Sequence, residues 1–225
     1  MKKMHKLLIL CLLTLSLISF PKIPHSEEGT TIYQPDHIAK FRIEKDEGII
    51  NLQGEINDDS EKQTQAAFAY FNENHIRNVI IHLHSLGGSV KSGYDIITIM
   101  TYAEKHNINV ITLVDHKEYC ASMCTAIFAA GINRIAARDT VWIFHSPYIK
   151  LSDGELRDPI QVVEAQLAIK LARKLMLRVY YSADPTFTKT VLEPVINDNS
   201  DKPLILYGYE LIDHTESFVS MNVAD

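Results

Sequence analysis

Positive charge is scarce in this chain: 22 Lys and Arg stand against 28 Asp and Glu. That balance argues against nucleic acid, or an anionic membrane surface, as the main partner. Cysteine is scarcer still, with three in 225 residues, and they lack the spaced ligand set that a zinc site needs. No glycine loop runs into Gly-Lys-Ser/Thr, which excludes the usual nucleotide-phosphate cradle. A run of the roughly 20 apolar residues that span a bilayer is also missing. Repeats and low-complexity tracts are absent, so one domain, with extensions, is the economical reading. What remains is ample apolar material, 46% of the residues, enough for a sizeable core.

The longest apolar run, Leu7 to Phe20, follows Lys2, Lys3 and Lys6 and is broken by Pro21 and Pro24. A basic start, a short apolar stretch and a helix-breaking end describe a secretory signal peptide, assigned to residues 1–26. No small-x-small pair precedes Glu27, so an uncleaved N-terminal anchor is the alternative. Cys11 lies inside the run without small residues ahead of it and is not read as a lipid attachment site. Removing residues 1–26 takes away Lys2, Lys3, Lys6 and Lys22 and no acids, moving the formal charge from −6 to −10. The expected location is secreted or periplasmic, or anchored in the inner membrane facing the periplasm, with membrane contact only if the segment stays attached. In such an oxidising compartment Cys120 and Cys124 are able to pair.

Residues 27–40 read as a polar lead-in and 41–225 as the folded domain. Strand-like and helix-like stretches alternate along that domain. Two strands around a turn at Asp46–Gly48 are expected over 41–56, then a helix over 60–74 capped by Asp58 or Asp59. A strand over 78–85 runs into Gly87 and Gly88, and a helix over 92–107 follows. Next come a strand over 109–115, a helix in YCASMCTAIFAAG (119–131), and two short strands within 134–147. Asp158 is placed to cap a long helix from Pro159 to about Tyr181. A short helical stretch at 186–192, a turn-rich loop at 196–203, and a strand or turn with a closing segment at 209–218 complete the chain. This alternation predicts an α/β fold with a largely parallel sheet and flanking helices.

Three stretches carry candidate chemistry. In SLGGSV (85–90) paired glycines let backbone come close to a ligand, and their N–H groups suit an anion or a developing oxyanion; an ordinary tight turn is the plainer reading. Ser122, among Ala121, Ala126, Ala129, Ala130 and Gly131, sits where a helix begins. There its hydroxyl would be exposed beside the N–H groups of Ser122 and Met123, or would merely cap the helix. His145 ends an apolar strand before Ser146–Pro147, as a structural histidine or as a general base. Cys120 and Cys124 would stand about 5–6 Å apart at Cβ in a regular helix, too far for a disulfide. A bridge therefore requires Cys120 to lie outside the helix; buried thiols are the alternative. His82 and His84 share one strand face and read as structural.

Together SLGGSV, CASMC (120–124) and FHSP (144–147), in this order, resemble the ClpP family of serine peptidases, within the ClpP/crotonase-like fold, from about Ile49 to Asp213. The resemblance implies Ser122 as nucleophile, His145 as base, and an oxyanion hole from the N–H groups of Gly88 and Met123. It draws the third catalytic member from the loop INDNSDKPL, where Asp201 is preferred and Asp198 is the alternative. Leu86 departs from the proline usual before the glycines. The implied activity is peptide hydrolysis through an acyl-enzyme on peptide or protein substrates, without metal or cofactor. Assembly is expected as a homo-oligomer through helix 159–181. The secretory start and the Cys-Ala-Ser-x-Cys context look more like an exported branch than the cytosolic Clp subunit, so no ATPase partner is expected. A catalytically inactive binding or scaffold protein of the same fold is the competing reading. Crotonase-type acyl-CoA chemistry does not need Ser122 and His145 together. A serine/lysine signal-peptide peptidase leaves His145 unexplained.

Overall fold

The computed structural model describes residues 39–199 and 202–223; the expected signal segment, nearly all of the lead-in, and Asp201 lie outside them. Six strands make the main sheet in the order β1-β2-β3-β4-β6-β9. They are β1 (Ala39–Glu44), β2 (Glu47–Gln53), β3 (Asn78–His84), β4 (Asn109–Val114), β6 (Asn133–Ala136) and β9 (Met221–Asn222). Only β1 runs antiparallel to its neighbour. In β3 the residues Val79, Ile81 and Leu83 are fully buried and alternate with half-buried Ile80, His82 and His84. That period of two turns one face to the core. On the other face His82 reaches Glu118 at 2.7 Å and His84 packs on Tyr119.

A second sheet holds β5 (Tyr119–Ala121), β7 (Val141–Phe144) and β8 (Leu204–Tyr207), with β5 and β7 parallel and β8 antiparallel to β7. The two sheets are stitched by a bridge between Ser85 and Cys120. The Ala121 N–H donates to the Ser85 carbonyl and the Ser85 N–H to the Tyr119 carbonyl.

Helices α1 (Asp58–Glu73), α2 (Val90–Lys105) and α3 (Met123–Ala130) pack on the main sheet. The cap of α1 is Asn57, whose Oδ1 accepts from the N–H groups of Asp59 and Ser60. This corrects the expectation of Asp58 or Asp59, which occupy the first turn, where acids favour the helix dipole. After the four-residue α4 (Asp153–Leu156), α5 runs from Pro159 to Ala183, with Asp158 accepting from the Ile160 N–H. The expected short helix at 186–192 is longer. It comprises α6 (Pro185–Phe187), a π turn (Thr188–Leu192) and α7 (Glu193–Asn197), and α8 (Gly208–His214) follows β8. The expected turn at Asp46–Gly48 is Lys45–Asp46, and Gly48 lies inside β2 under the ring of Phe71.

A buried aromatic cluster fastens the second sheet to α5. Phe144 meets Tyr180, Phe187 and Phe218 edge-on, and Trp142 meets Phe128. The last stretch is tied down by polar groups. Asp184 accepts from the N–H groups of Glu216, Ser217 and Phe218, and Arg134 donates to the carbonyls of Gly131, Ser217 and Phe218. Burial pushes the Asp184 carboxyl upward, but the backbone donors of Phe187, Ser217, Glu216 and Phe218 outweigh it and hold it below the usual range.

Candidate active site

Ser122 is the single residue between β5 and α3. Its backbone adopts φ 54 and ψ −124, a region that a non-glycine residue rarely visits and that costs about 1–3 kcal/mol. Several contacts enforce it. The Ser122 N–H donates to the Ile143 carbonyl at 2.8 Å, and the Thr125 hydroxyl donates to the Ser122 carbonyl at 2.6 Å. Cys120 and Cys124 are joined by a disulfide, Cα to Cα 5.3 Å, closing a ring around the serine. The pairing is possible because Cys120 lies on a strand, outside the helix. The Thr125 hydroxyl also bonds the buried Tyr180 phenol at 2.7 Å, which fixes α3 to α5. Burial pushes that phenol well above its ordinary range, so it stays neutral.

The reading of Ser122 as a helix cap fails. Its side chain makes no capping bond, and its N–H is engaged by β7 rather than turned to the cleft. Of the two N–H groups expected beside the hydroxyl, only that of Met123 is free of a protein acceptor among the described residues. The Met123 side chain is buried against Gly93 of α2, where a Cβ would stand 2.2 Å from Met123 Cγ. That contact fixes the first turn of α3.

The glycine turn lies directly against this elbow. A Cβ on Gly87 would come 2.6 Å from Ser122 Cβ and 3.1 Å from the Met123 nitrogen. Gly88, at φ +147, is pressed to Ile56, and the Ile56 N–H and carbonyl bond Gly87 and Ser89 on either side of it. The Gly88 N–H is thereby left without a protein acceptor among the described residues. Buried Ser85 stapled the turn without being singled out from sequence: its hydroxyl accepts from the Gly87 N–H at 3.0 Å and donates to the Gly54 carbonyl. Its place as the first residue of the glycine motif was the available signal.

His145 leaves β7 and lines the same cleft as Gly88 and Ser122. Its Nδ1 bonds the Ser146 carbonyl at 2.8 Å. That acceptor requires the hydrogen on Nδ1 and leaves Nε2 as a proton acceptor. No hydrogen bond joins His145 to Ser122 among the described residues; such bonds commonly tighten only when substrate is present. Asp198, an exposed residue, and His145 line one adjoining depression. Arg173 of α5, missed from sequence because nothing distinguishes it from other helix cations, donates to Ser146 Oγ, the Asp198 carbonyl and Asn199 Oδ1. The cleft wall is largely apolar, including Leu86, Tyr119, Tyr148 and Leu171, with Lys91 and Asp95 paired at 2.8 Å on its rim.

The Clp protease family profile matches residues 37–184, well over half of the chain. The chain belongs to the Clp protease family. The match takes in the glycine turn, Ser122 and His145 and ends before the loop that carries Asp198 and Asp201. A search of curated proteins returned no match. As a Clp protease family member the chain carries the expected fold, a mixed α/β domain with a mainly parallel sheet and flanking helices.

Proposed function

We propose that this chain is an exported serine peptidase that cleaves peptide bonds through an acyl-enzyme on Ser122. One observation carries the reading above all. Among the described residues, a serine hydroxyl without a hydrogen-bond partner sits on an enforced positive-φ elbow, beside two N–H groups without a protein acceptor, in one cleft with a histidine whose Nε2 makes no hydrogen bond. Ser122 Oγ attacks the scissile carbonyl as His145 Nε2 takes its proton. The Gly88 and Met123 N–H groups hold the oxyanion; each such donor is typically worth about 3–4 kcal/mol. His145 then returns the proton to the leaving amine, and water releases the acyl group by the same steps. The loop after α7 supplies the carboxylate that steadies the imidazolium, Asp201 in the preferred assignment and Asp198 in the alternative.

The basic-apolar-proline start supports export, and the disulfide agrees with an oxidising compartment, secreted or periplasmic. Outside the cytoplasm no ATPase partner is expected. Assembly as a homo-oligomer through α5 is supported by its exposed apolar residues Ile160, Val163, Leu167 and Leu171. The largely apolar cleft wall suits peptides with apolar side chains.

Labelling of the purified protein by a fluorophosphonate probe tests the mechanism. The parent should label, and Ser122→Ala and His145→Ala should each abolish labelling while circular dichroism shows an intact fold. A second reading, an inactive binding or scaffold protein, is favoured by one observation: no hydrogen bond joins His145 to Ser122 among the described residues, and its Nδ1 is held by the Ser146 carbonyl. A folded parent that stays unlabelled would make that reading the better one.

A further inference from the structure

The depression between the candidate base and the loop that carries the candidate acid is lined by Arg173. Half-buried Arg173 projects from α5 and bonds both sides of this gap. Toward the base, its Nε donates to Ser146 Oγ at 3.0 Å, one residue beyond His145. Toward the loop, its terminal nitrogen donates to Asn199 Oδ1 at 2.8 Å and to the Asp198 carbonyl at 3.3 Å. A guanidinium suits this task, because its donors form a rigid planar fork that an ammonium cannot reproduce. The Ser146 carbonyl, on the same residue, is the acceptor of His145 Nδ1. One cation on a long, well-anchored helix thus touches the residue that orients the imidazole and the loop from which a carboxylate must come.

We infer that Arg173 is a positioning residue that latches the Asp198–Asn199 stretch of the loop to Ser146 at the exit of β7 and, through Ser146, holds the His145 imidazole in place. The inference rests on the acyl-transfer reading of Ser122 and His145. Arg173 touches neither substrate nor reacting atoms in this role; it acts through Ser146 and through the loop. Among the described residues, the charged and titratable groups that share a depression with His145 are Arg173 from α5, Asp198 from the loop and Tyr148 just downstream of β7. Glu55, Lys91, Tyr94, Asp95 and Tyr119 also line its cleft. Replacing Arg173 by lysine keeps this charge pattern and removes the fork. A change in the His145 signals in that variant therefore reports geometry and not lost charge.

The test measures two quantities on the full-length parent, Arg173→Lys, Ser146→Ala and the double variant: the pH dependence of fluorophosphonate labelling, and the His145 imidazole signals by nuclear magnetic resonance. The Ser146 carbonyl is the acceptor of His145 Nδ1, so losing the latch on Ser146 should shift the imidazole signals. The labelling rate at neutral pH should fall at least tenfold in Arg173→Lys and in Ser146→Ala. Because both break one connection, the double variant should fall little further than either single one. Asn199→Ala, an exposed loop change that cannot unfold the core, should lower the rate in the same direction. Parent-like rates and unmoved imidazole signals in Arg173→Lys would overturn the inference, as would full additivity with Ser146→Ala. An unlabelled parent would instead remove the acyl-transfer reading. The imidazole signals would then still report whether Arg173 governs the surroundings of His145.

Discussion

A Cβ on Gly87 would stand 2.6 Å from Ser122 Cβ and 2.8 Å from the Ala121 carbonyl oxygen, on a backbone with φ +96. Gly54 has a similar φ of +88 but open space around it. Alanine at either site strains the backbone by about 1–3 kcal/mol, whereas only Gly87→Ala also forces the nucleophile to move. The expectation is a melting temperature lowered in both variants and lowered further in Gly87→Ala. Fluorophosphonate labelling of Gly87→Ala should fall by more than tenfold. Thermal unfolding and probe kinetics on the two proteins check this directly. The paired glycines were legible in the sequence because φ > 0 and close approach are glycine's particular freedoms. That Gly87 shields the serine while Gly88 turns its N–H outward depends on the pairing with Ile56, 32 residues upstream, and no local pattern encodes it.

Between β5 and α3 the Cys120–Cys124 bond spans a single strand-to-helix transition. A loop this short contributes about 2 kcal/mol by restricting the unfolded chain. For a domain of this size the double variant Cys120→Ala/Cys124→Ala should melt roughly 4–8 °C lower. Its labelling should fall by more than the lost stability accounts for, because the elbow itself loses a restraint; rates measured well below the melting temperature separate the two effects. At this scale most elements could be read from the chain. The alternating strand β3, the Asp158-capped α5 and the apolar α2 follow from period and capping chemistry alone. The helical stretch beyond Pro185 was read too short, because a π turn continues through Thr188–Leu192, a local geometry with no distinctive composition. The Asn57 cap was missed because three consecutive residues, Asn57, Asp58 and Asp59, all favour that role. Only the reach of Ser60 back to Asn57 decides between them.

Across the whole molecule, α2 and β6 meet at Glu104 and Arg134. Burial pushes the Glu104 carboxyl up to about 7, against the pull of Arg134, and its Oε1 is buried without a hydrogen-bond partner among the described residues. The folded state therefore binds this proton more tightly than the unfolded chain does. The group's stabilising contribution is complete below the ordinary carboxyl value near 4.5 and is lost as pH rises through about 7. Glu104→Gln should raise the melting temperature by a few degrees at pH 8 and change it little at pH 4.5, as thermal unfolding at the two pH values would show. Asp184 acts with the opposite sign: its contribution is present above the ordinary carboxyl range and is lost as pH falls through its depressed value. The position of β5 between the sheets has a wider consequence. Ser85 ties the glycine turn to both sheets, through the Gly54 carbonyl beyond β2 and the Cys120 bridge to β5, while His145 departs from β7, the strand paired with β5. A slip of β7 past β5 would therefore carry off His145 and break the bond from the Ser122 N–H to the Ile143 carbonyl in one movement. On the proposed function, base and nucleophile thus take their register from a single strand, so a disturbance of β7 would silence both together and leave no half-working intermediate.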